Sequence, residues 1–160
     1  LFRLAMQEPR IAKEFILSRL PPELVQRLRL DTLHLEKETF IGSDYTVSSS
    51  DVIFSVRIND APGYIYLFFE AQSTVDPMMV FKVRIRTLRL LESHYRQHPD
   101  QPLPPVWPMV IYAGNTLWNA PKDLFSLFGD DRDLAQAWFL MPYALLEVNQ
   151  LSDADIQEHP

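Results

Sequence analysis

The sequence predicts an α/β or α+β domain in which helices pack on a mixed central sheet. Residues 51–58 alternate between apolar and polar side chains, and residues 64–72 are almost continuously apolar. The stretch 77–97 has helical periodicity and leads into another apolar run, 106–112. Strands joined by a short turn pair antiparallel, whereas strands joined across a helix pair parallel. We therefore expect both kinds of pairing in one sheet.

Composition limits the class of protein. The 160 residues are 47% hydrophobic and 22% charged, which suits one domain with a real core. The chain has no cysteine, which excludes disulfides, thiolate metal sites and cysteine catalysis. A net charge of −6 argues against a non-specific nucleic-acid coat. No apolar run reaches membrane-spanning length, so we expect a cytoplasmic protein without membrane association.

The amino-terminal part is predicted to be mainly helical. Residues 4–19 have an amphipathic pattern in which Pro9 marks a start or a break. The apolar side of this helix is predicted to contain Leu4, Ile11, Phe15 and Leu17. Residues 22–30 suit a short second helix, and 32–41 can be extended. Because the chain begins at Leu1 rather than at methionine, we expect a fragment of a longer protein.

Residues 51–72 are predicted to form a β-hairpin with its turn at 59–63. Alternation places Val52, Phe54, Val56 and Ile58 on one face of the first strand. Pairing residues whose numbers sum to about 122 brings Asp51 close to Glu70 and Gln72.

The stretch 77–97 is predicted to be the longest helix. Its apolar stripe contains Phe81, Ile85, Leu88, Leu91 and Tyr95, and a second stripe contains the bases Lys82, Arg86, Arg89 and Arg96. Pro108 places the strand 106–112 at an edge, or lies early in it. Residues 121–128 suit a short helix, and 137–150 fit either a strand or a helix.

The polar side chains Asp51, Glu70 and Gln72 are predicted to meet at one end of an apolar hairpin. Two neighbouring carboxylates repel each other unless a cation lies between them, and Mg²⁺ prefers oxygen ligands. Such a metal can polarise a phosphate and activate water, and the basic stripe can neutralise a phosphate backbone. The alternative is that these residues have no catalytic role: Glu70 is solvated, Asp51 accepts a hydrogen bond from a turn amide, and the basic stripe is a solvated helix face.

Four stretches, in this order, carry a resemblance to a known family. They are "SSSDVIFSV", "YIYLFFEAQST", "DPMMVFKVRIR" and "LPPVWPMVIYAGNTLW". Together they resemble the Rpn family of recombination-promoting nucleases, also described as YhgA-like transposases, over roughly residues 1–128. The family is similar to PD-(D/E)XK nucleases, which have a restriction-endonuclease-like core. The resemblance implies a single domain over 1–160, in which residues 129–160 are the least defined part.

The resemblance also implies roles for individual residues. Asp51 and Glu70 match the metal-binding acids, and the backbone carbonyl of Ala71 can add a metal oxygen. Gln72 stands where many such nucleases have Lys; its neutral amide can orient water or bind a phosphate oxygen. We therefore expect the catalytic residues to be Asp51, Glu70 and Gln72, with DNA contacts from Lys82, Arg86 and Arg89.

The resulting expectation is a Mg²⁺- or Mn²⁺-dependent DNA endonuclease that acts on DNA and works as a homodimer when it cuts both strands. The alternative is a catalytically inactive PD-(D/E)XK-like domain that binds DNA or a protein partner. The neutral Gln72 and the net negative charge favour this alternative.

Overall fold

A mixed sheet of four strands lies at the centre of the computed structural model, which describes residues 1–37 and 51–147. The strands, in spatial order, are β1 (Leu28–Leu35), β2 (Val52–Ile58), β3 (Ala61–Glu70) and β4 (Val106–Tyr112). The pairs β1–β2 and β2–β3 are antiparallel, whereas β3–β4 is parallel. The predicted combination of a hairpin and a parallel crossover is therefore confirmed.

Helices flank this sheet. Those before it are α1 (Phe2–Met6), α2 (Pro9–Arg19) and α3 (Pro22–Val25); α4 (Met79–Gln97) connects β3 to β4. After β4 come a 3₁₀ helix (Leu124–Asp131) and α5 (Arg132–Leu140). This arrangement confirms the predicted α+β class. None of the helices in the described ranges is long and apolar enough to cross a membrane.

The sheet separates two hydrophobic clusters. On one face, residues of α1 and α2 such as Met6 and Ile16 pack against Val52, Phe54 and other residues of β2 and β3. On the other face, residues of α4 pack against a different set of sheet residues. These include Ile53, Tyr64, Tyr66 and Phe68. The alternation predicted for β2 is confirmed, because its two sets of side chains enter opposite clusters.

The predicted apolar side of the first helix is wrong for Leu4, Ile11 and Leu17, whereas Phe15 packs against the core as predicted. Leu4 and Leu17 are 64% and 54% exposed, and Ile11 is 37% exposed, whereas Ala12 and Ile16 are buried. The reason is the break at Pro9, which starts α2 as its first residue and separates it from α1. One helical phase cannot describe both pieces. The second predicted helix is also too long, since α3 ends at Val25 and the chain then enters β1.

The hairpin turn is shorter than predicted, and the predicted register is wrong. Only Asn59 and Asp60, with φ of 49° and 62°, separate the paired ends of β2 and β3. Both are residue types that adopt positive φ in two-residue hairpin turns. Val52 therefore pairs with Leu67, so that the numbers of paired residues sum to 119 rather than 122. This register places Asp51 opposite Phe68, on the sheet face that carries Glu70.

The buried face of α4 also differs from the prediction. Phe81, Leu88 and Tyr95 are largely exposed. The buried residues of the helix are Met79, Val80, Val83, Leu90, Ser93 and His94. Polar residues on this face have partners in the sheet: Arg86 contacts Asp51, and His94 Nδ1 lies 2.9 Å from the Tyr64 hydroxyl. Hydrophobic periodicity misplaces a helix face that contains paired polar residues.

The strand β4 lies at an edge of the sheet, which confirms the alternative that tolerates Pro108 there. The short helix predicted over 121–128 is partly confirmed, since a 3₁₀ helix begins at Leu124. The chain divides into two compact units, the first ending at Leu124. In the second unit, α5 ends at Leu140, so the beginning of the segment 137–150, for which a strand or a helix was predicted, is helical. Residues 42–50, whose polar sequence suits a loop or an edge strand, and the end of the 137–150 segment lie outside the described residues.

Candidate active site

Most of the predicted site residues line one cavity of about 490 Å³. It is bounded by the carboxyl end of β3, the residue before β2 and the first turns of α4. The predicted residues that line it are Asp51, Glu70, Ala71, Gln72, Lys82 and Arg86. Arg89 does not line this cavity and is half-buried elsewhere on α4. The structure thus brings together both acids, the amide and two of the predicted bases.

Asp51 is the most buried charged residue of this cavity, with 1% of its surface exposed. Its Oδ1 accepts a hydrogen bond from the Phe69 amide at 3.3 Å. Its Oδ2 accepts from the Tyr66 hydroxyl at 3.4 Å and from Arg86 Nη1 at 2.9 Å. Burial raises the pKa of Asp51 above its ordinary value, although Arg86 and the hydrogen bonds act in the opposite direction. The fold therefore keeps a costly carboxylate at the cavity wall.

Tyr66 supports Asp51 as a neutral donor. Its ring is fully buried and stacks on Phe68 with a centroid distance of 3.9 Å. Burial, followed by the charge of Asp51, raises the pKa of Tyr66 well above its ordinary range. The hydroxyl therefore keeps its proton at neutral pH and can donate it to the carboxylate in a hydrogen bond.

Arg86 lies where α4 faces the sheet. Its guanidinium pairs with Asp51 and also lies 5.9 Å from the centre of the Phe68 ring, a cation–π distance. The side chain is 31% exposed, so one side of the guanidinium reaches the cavity. Arg86, for which the sequence led us to expect a DNA contact, is the countercharge of Asp51, a role that the sequence did not indicate.

Glu70 is the last residue of β3, and Gln72 lies two residues further along the chain. The Glu70 Oε1 accepts a hydrogen bond from the Gln72 backbone amide at 3.0 Å. The Gln72 side-chain amide is exposed and makes no hydrogen bond to any residue in the described ranges. Its donors are therefore available to a ligand in the cavity, which is what the predicted role in binding water or phosphate requires.

Asp76 is a site residue that the sequence reasoning missed. It forms an ion pair with Lys82, and its Oδ1 accepts a hydrogen bond from the Met78 amide at 2.8 Å. The hydrogen bond from Lys82 is the main cause that lowers the pKa of Asp76. The available signal was an acid just before a helix, which commonly binds free backbone amides there. Asp76 holds Lys82 in place at the mouth of the cavity.

Arg3 is a second residue that was missed. Its Nη1 donates to the backbone carbonyl of Asp51 at 2.5 Å, and its Nη2 donates to that of Glu36 at 3.2 Å. The side chain therefore ties α1 to the residue after β1 and to the residue before β2. The two partners are far from Arg3 in sequence, so no local pattern could have identified them.

Gly114 allows two loops to meet beside Gln72. A Cβ on this residue would lie 2.6 Å from the Gln72 carbonyl oxygen and would also clash with the Tyr112 ring. The same loops are joined by Thr116, whose hydroxyl donates to the Ser73 carbonyl at 2.9 Å. The position of Gln72 thus depends on a close backbone approach that only glycine permits.

Replacing Gly114 by Ala is expected to destabilise the fold by about 1–3 kcal/mol, because backbone must move to relieve the overlap. Chemical denaturation measures this loss of stability. The matched control is Ala113→Ser, which changes the exposed neighbouring residue and should leave the stability unchanged. Equal stability of the two variants would contradict this role of Gly114.

The donor set fits a hard divalent cation, which the sequence led us to expect. In residues 1–37 and 51–147 no group of three or more His, Asp or Glu side chains is clustered closely enough to hold a metal. Mg²⁺, however, is commonly held by one or two carboxylates and completes its shell with water. Asp51 Oδ1 accepts only the Phe69 amide among the described residues, which leaves a lone pair. The polar cavity leaves room for water.

Comparison with known proteins places this geometry in a family. The family described as "Putative transposase, YhgA-like" matches residues 1–160. Recombination-promoting nuclease RpnA of Escherichia coli K12 is 29% identical over 99% of this chain and 54% of its own length. RpnC of the same strain is 30% identical over 99% of this chain and 52% of its length.

A further relative carries a different description. The inactive recombination-promoting nuclease-like protein RpnE of Escherichia coli K12 is 31% identical over 99% of this chain and 52% of its length. The chain thus spans about half the length of these curated relatives. No solved structure matches it significantly. The match over the whole chain shows that it belongs to the YhgA-like transposase family, whose relatives include the recombination-promoting nucleases.

Proposed function

We propose that the chain is the catalytic domain of a metal-dependent DNA endonuclease. The observation that carries this proposal is the burial of Asp51 at the wall of the cavity that Glu70 also lines. A carboxylate whose burial raises its pKa costs folding free energy, and such groups concentrate at functional sites. The names of the relatives RpnA and RpnC support a nuclease, and a phosphodiester backbone is the matching substrate.

The oxygen donors have a natural division of roles. Asp51, Glu70 and the Ala71 carbonyl would hold Mg²⁺ or Mn²⁺, while the cavity mouth stays open to the substrate. When bound, the ion supplies Lewis-acid polarisation of the phosphate and a more acidic water. Tyr66, Arg86 and the Phe69 amide keep the Asp51 carboxylate in one orientation. Preorganised ligands of this kind avoid a rearrangement during the reaction.

The remaining residues of the cavity act on the phosphate. Gln72 presents an unpaired amide, which donates to a phosphate oxygen or orients the attacking water without adding charge. Lys82, held by Asp76, and Arg86, paired with Asp51, are the cations that would contact the phosphate backbone at the cavity mouth. Since the chain has a net charge of −6, local potential rather than overall charge must attract DNA.

A cleavage assay tests the proposal. Glu70→Gln removes one charge without changing size, so divalent-dependent nicking of plasmid DNA should fall by at least about 100-fold. Even outer partners of metal ligands contribute about 10 to 100-fold. The matched control is Glu92→Gln, an exposed acid on α4 that is remote from the cavity and should leave the rate unchanged. Equal nicking by Glu70→Gln and the wild type would refute the assignment.

The second candidate is a catalytically inactive domain that binds DNA or a protein partner. The specific observations in its favour are the neutral Gln72, the Arg86 cation that already pairs with Asp51, and a relative described as inactive. It predicts that divalent ions neither bind nor cause nicking. The expected homodimer stays a prediction under either function.

A further inference from the structure

A second cavity, of about 430 Å³, lies between α4 and the edge strand β4. Two half-buried aromatic side chains, Tyr112 and Trp118, line it, with ring centroids 5.2 Å apart and planes at 75°. The exposed cations Arg84 and Lys122 also line it. The rest of its wall consists of aliphatic, methionine and proline side chains, and no described Asp or Glu contributes. Its size lies within the range of small-ligand sites.

This second cavity adjoins the candidate active site. Met79 lines both cavities, so one side chain of α4 separates them. Tyr112 is the register partner of Glu70 in the parallel pair β3–β4. Neighbouring strands lie about 4.8 Å apart, and paired residues face the same side of the sheet. A ligand that extends from Glu70 by about one strand spacing therefore reaches the aromatic rings.

The aromatic corner formed by Tyr112 and Trp118 is held in place by hydrogen bonds. Trp118 Nε1 donates to the Ala120 carbonyl at 2.9 Å, and the Tyr112 hydroxyl lies 2.7 Å from Thr116 Oγ1. These bonds hold both rings before a ligand arrives, which lowers the entropy lost on binding. The rings offer flat apolar surface to a planar group, and aromatic side chains at such sites commonly stack on nucleobases.

The charge of this cavity selects an anion. Arg84 and Lys122 form no ion pair with another residue in the part of the chain that the structure describes. By contrast, Lys82 and Arg86 in the neighbouring cavity are each paired with an aspartate. Two unpaired cations beside a planar apolar surface match a ligand with a flat ring and a negatively charged group. A nucleotide has both of these features.

We propose that the cavity lined by Tyr112 and Trp118 takes an unstacked nucleotide of the substrate strand, next to the phosphodiester that is cleaved. This inference rests on the proposed endonuclease function and defines its substrate further. The base contacts the aromatic corner, while Arg84 and Lys122 contact flanking phosphates. A base enters a protein cavity only after it leaves the stack. The preferred substrate is therefore single-stranded, or has unpaired nucleotides at the cleavage site.

Binding without metal tests the proposal. The probe is a fluorescently labelled single-stranded oligodeoxynucleotide in EDTA, titrated at several salt concentrations. Arg84→Gln/Lys122→Gln should reduce the slope of log affinity against log salt by about 1.4, since each phosphate contact on a single strand contributes about 0.7. The control is Arg10→Gln/Arg96→Gln, which removes the same charge from exposed positions outside both cavities. Its slope should match that of the wild type.

A second measurement tests the base contact. One abasic position, moved along the oligodeoxynucleotide, should weaken binding to the wild type by about 10-fold at one place. Trp118→Leu should lose this sensitivity, whereas Trp118→Phe, which keeps a ring, should retain it. Thermal denaturation first verifies that both variants fold.

Two results would overturn the inference: a salt slope of Arg84→Gln/Lys122→Gln equal to that of the control, or equal sensitivity to every abasic position. The same oligodeoxynucleotide in Mg²⁺ reports cleavage separately. If the wild type does not cleave, the proposed function fails while the salt slopes still decide whether the cavity binds the strand. If it cleaves and the slopes are unchanged, the function stands and the nucleotide cavity is rejected.

Discussion

Asp51→Asn is expected to lose divalent-dependent cleavage by at least about 100-fold without losing stability. Asparagine keeps the shape and one oxygen acceptor, so the hydrogen bond from the Phe69 amide can persist. The substitution removes the negative charge that would hold the metal. Because burial raises the pKa of Asp51, its ionised form opposes folding, and the neutral amide removes that cost. Arg86 loses its partner, but its side chain is 31% exposed and can be solvated.

The effect of Asp51→Asn on stability should depend on pH. A carboxyl whose pKa is higher in the folded state binds its proton more tightly there than in the unfolded chain. Its unfavourable contribution is absent well below the ordinary pKa of 3.8, grows as pH rises from that value to the raised pKa, and is constant above it. The stability advantage of Asp51→Asn should therefore appear only as pH rises above about 4. The control Asp100→Asn changes an exposed loop residue and should leave the stability at pH 7 unchanged. A variant that is less stable than the wild type at pH 7 would contradict the argument.

Arg86→Met is expected to destabilise the metal-free fold by about 2–3 kcal/mol. Removing one partner of a buried ion pair costs about 3–5 kcal/mol, and the partial exposure of Arg86 reduces that figure. The loss arises because Asp51 keeps its buried charge without a countercharge. Mg²⁺ should restore more stability to this variant than it adds to the wild type, since the ion replaces the missing cation. Chemical denaturation with and without Mg²⁺ measures both effects.

Two comparisons make the Arg86 result specific. Arg96→Met removes an exposed arginine of the same helix, which is paired with the exposed Glu92, and should change stability by less than about 1 kcal/mol. The double variant Asp51→Asn/Arg86→Met should be more stable than Arg86→Met alone, because no unpaired charge remains. If Mg²⁺ stabilised this double variant as much as Arg86→Met, Asp51 would not be the residue that receives the ion.

The sequence was sufficient for the connectivity of the sheet and for most residues of the cavity, although it missed Asp76 and Arg3 and included Arg89, which does not line the cavity. Strict alternation predicted the faces of β2, and the apolar runs around α4 predicted the parallel pair β3–β4. Short-range patterns such as these are set by side-chain periods. The same alternation placed Asp51 and Glu70 on neighbouring strands, and the structure finds both on one cavity.

The details of the site depended on facts that periodicity does not contain. The observed register differs from the predicted one because the turn consists of two residues, Asn59 and Asp60, whereas five residues, 59–63, were predicted to form it. Asp51 therefore lies among Tyr66, the Phe69 amide and Arg86. The role of Arg86 was hidden because an apolar stripe cannot identify a charged residue that faces the sheet.

Contacts between residues that lie far apart in the sequence could likewise not be predicted from it. Nothing near Arg3 in the chain indicates that it binds the carbonyls of Glu36 and Asp51. The second cavity also needs tertiary structure, because Trp118 lies in a loop after β4 whereas Arg84 comes from α4. Such contacts join segments that only the folded sheet brings together.

Calorimetric titration of Mn²⁺ or Mg²⁺ into the purified chain tests the central claim most directly, because it needs no substrate. The account predicts saturable binding to the wild type, and loss of that binding in both Asp51→Asn and Glu70→Gln. The exposed-residue controls Asp100→Asn and Glu92→Gln should bind as the wild type does. Absence of binding to the wild type, or equal binding to Asp51→Asn and Glu70→Gln, would contradict a metal site formed by these two acids.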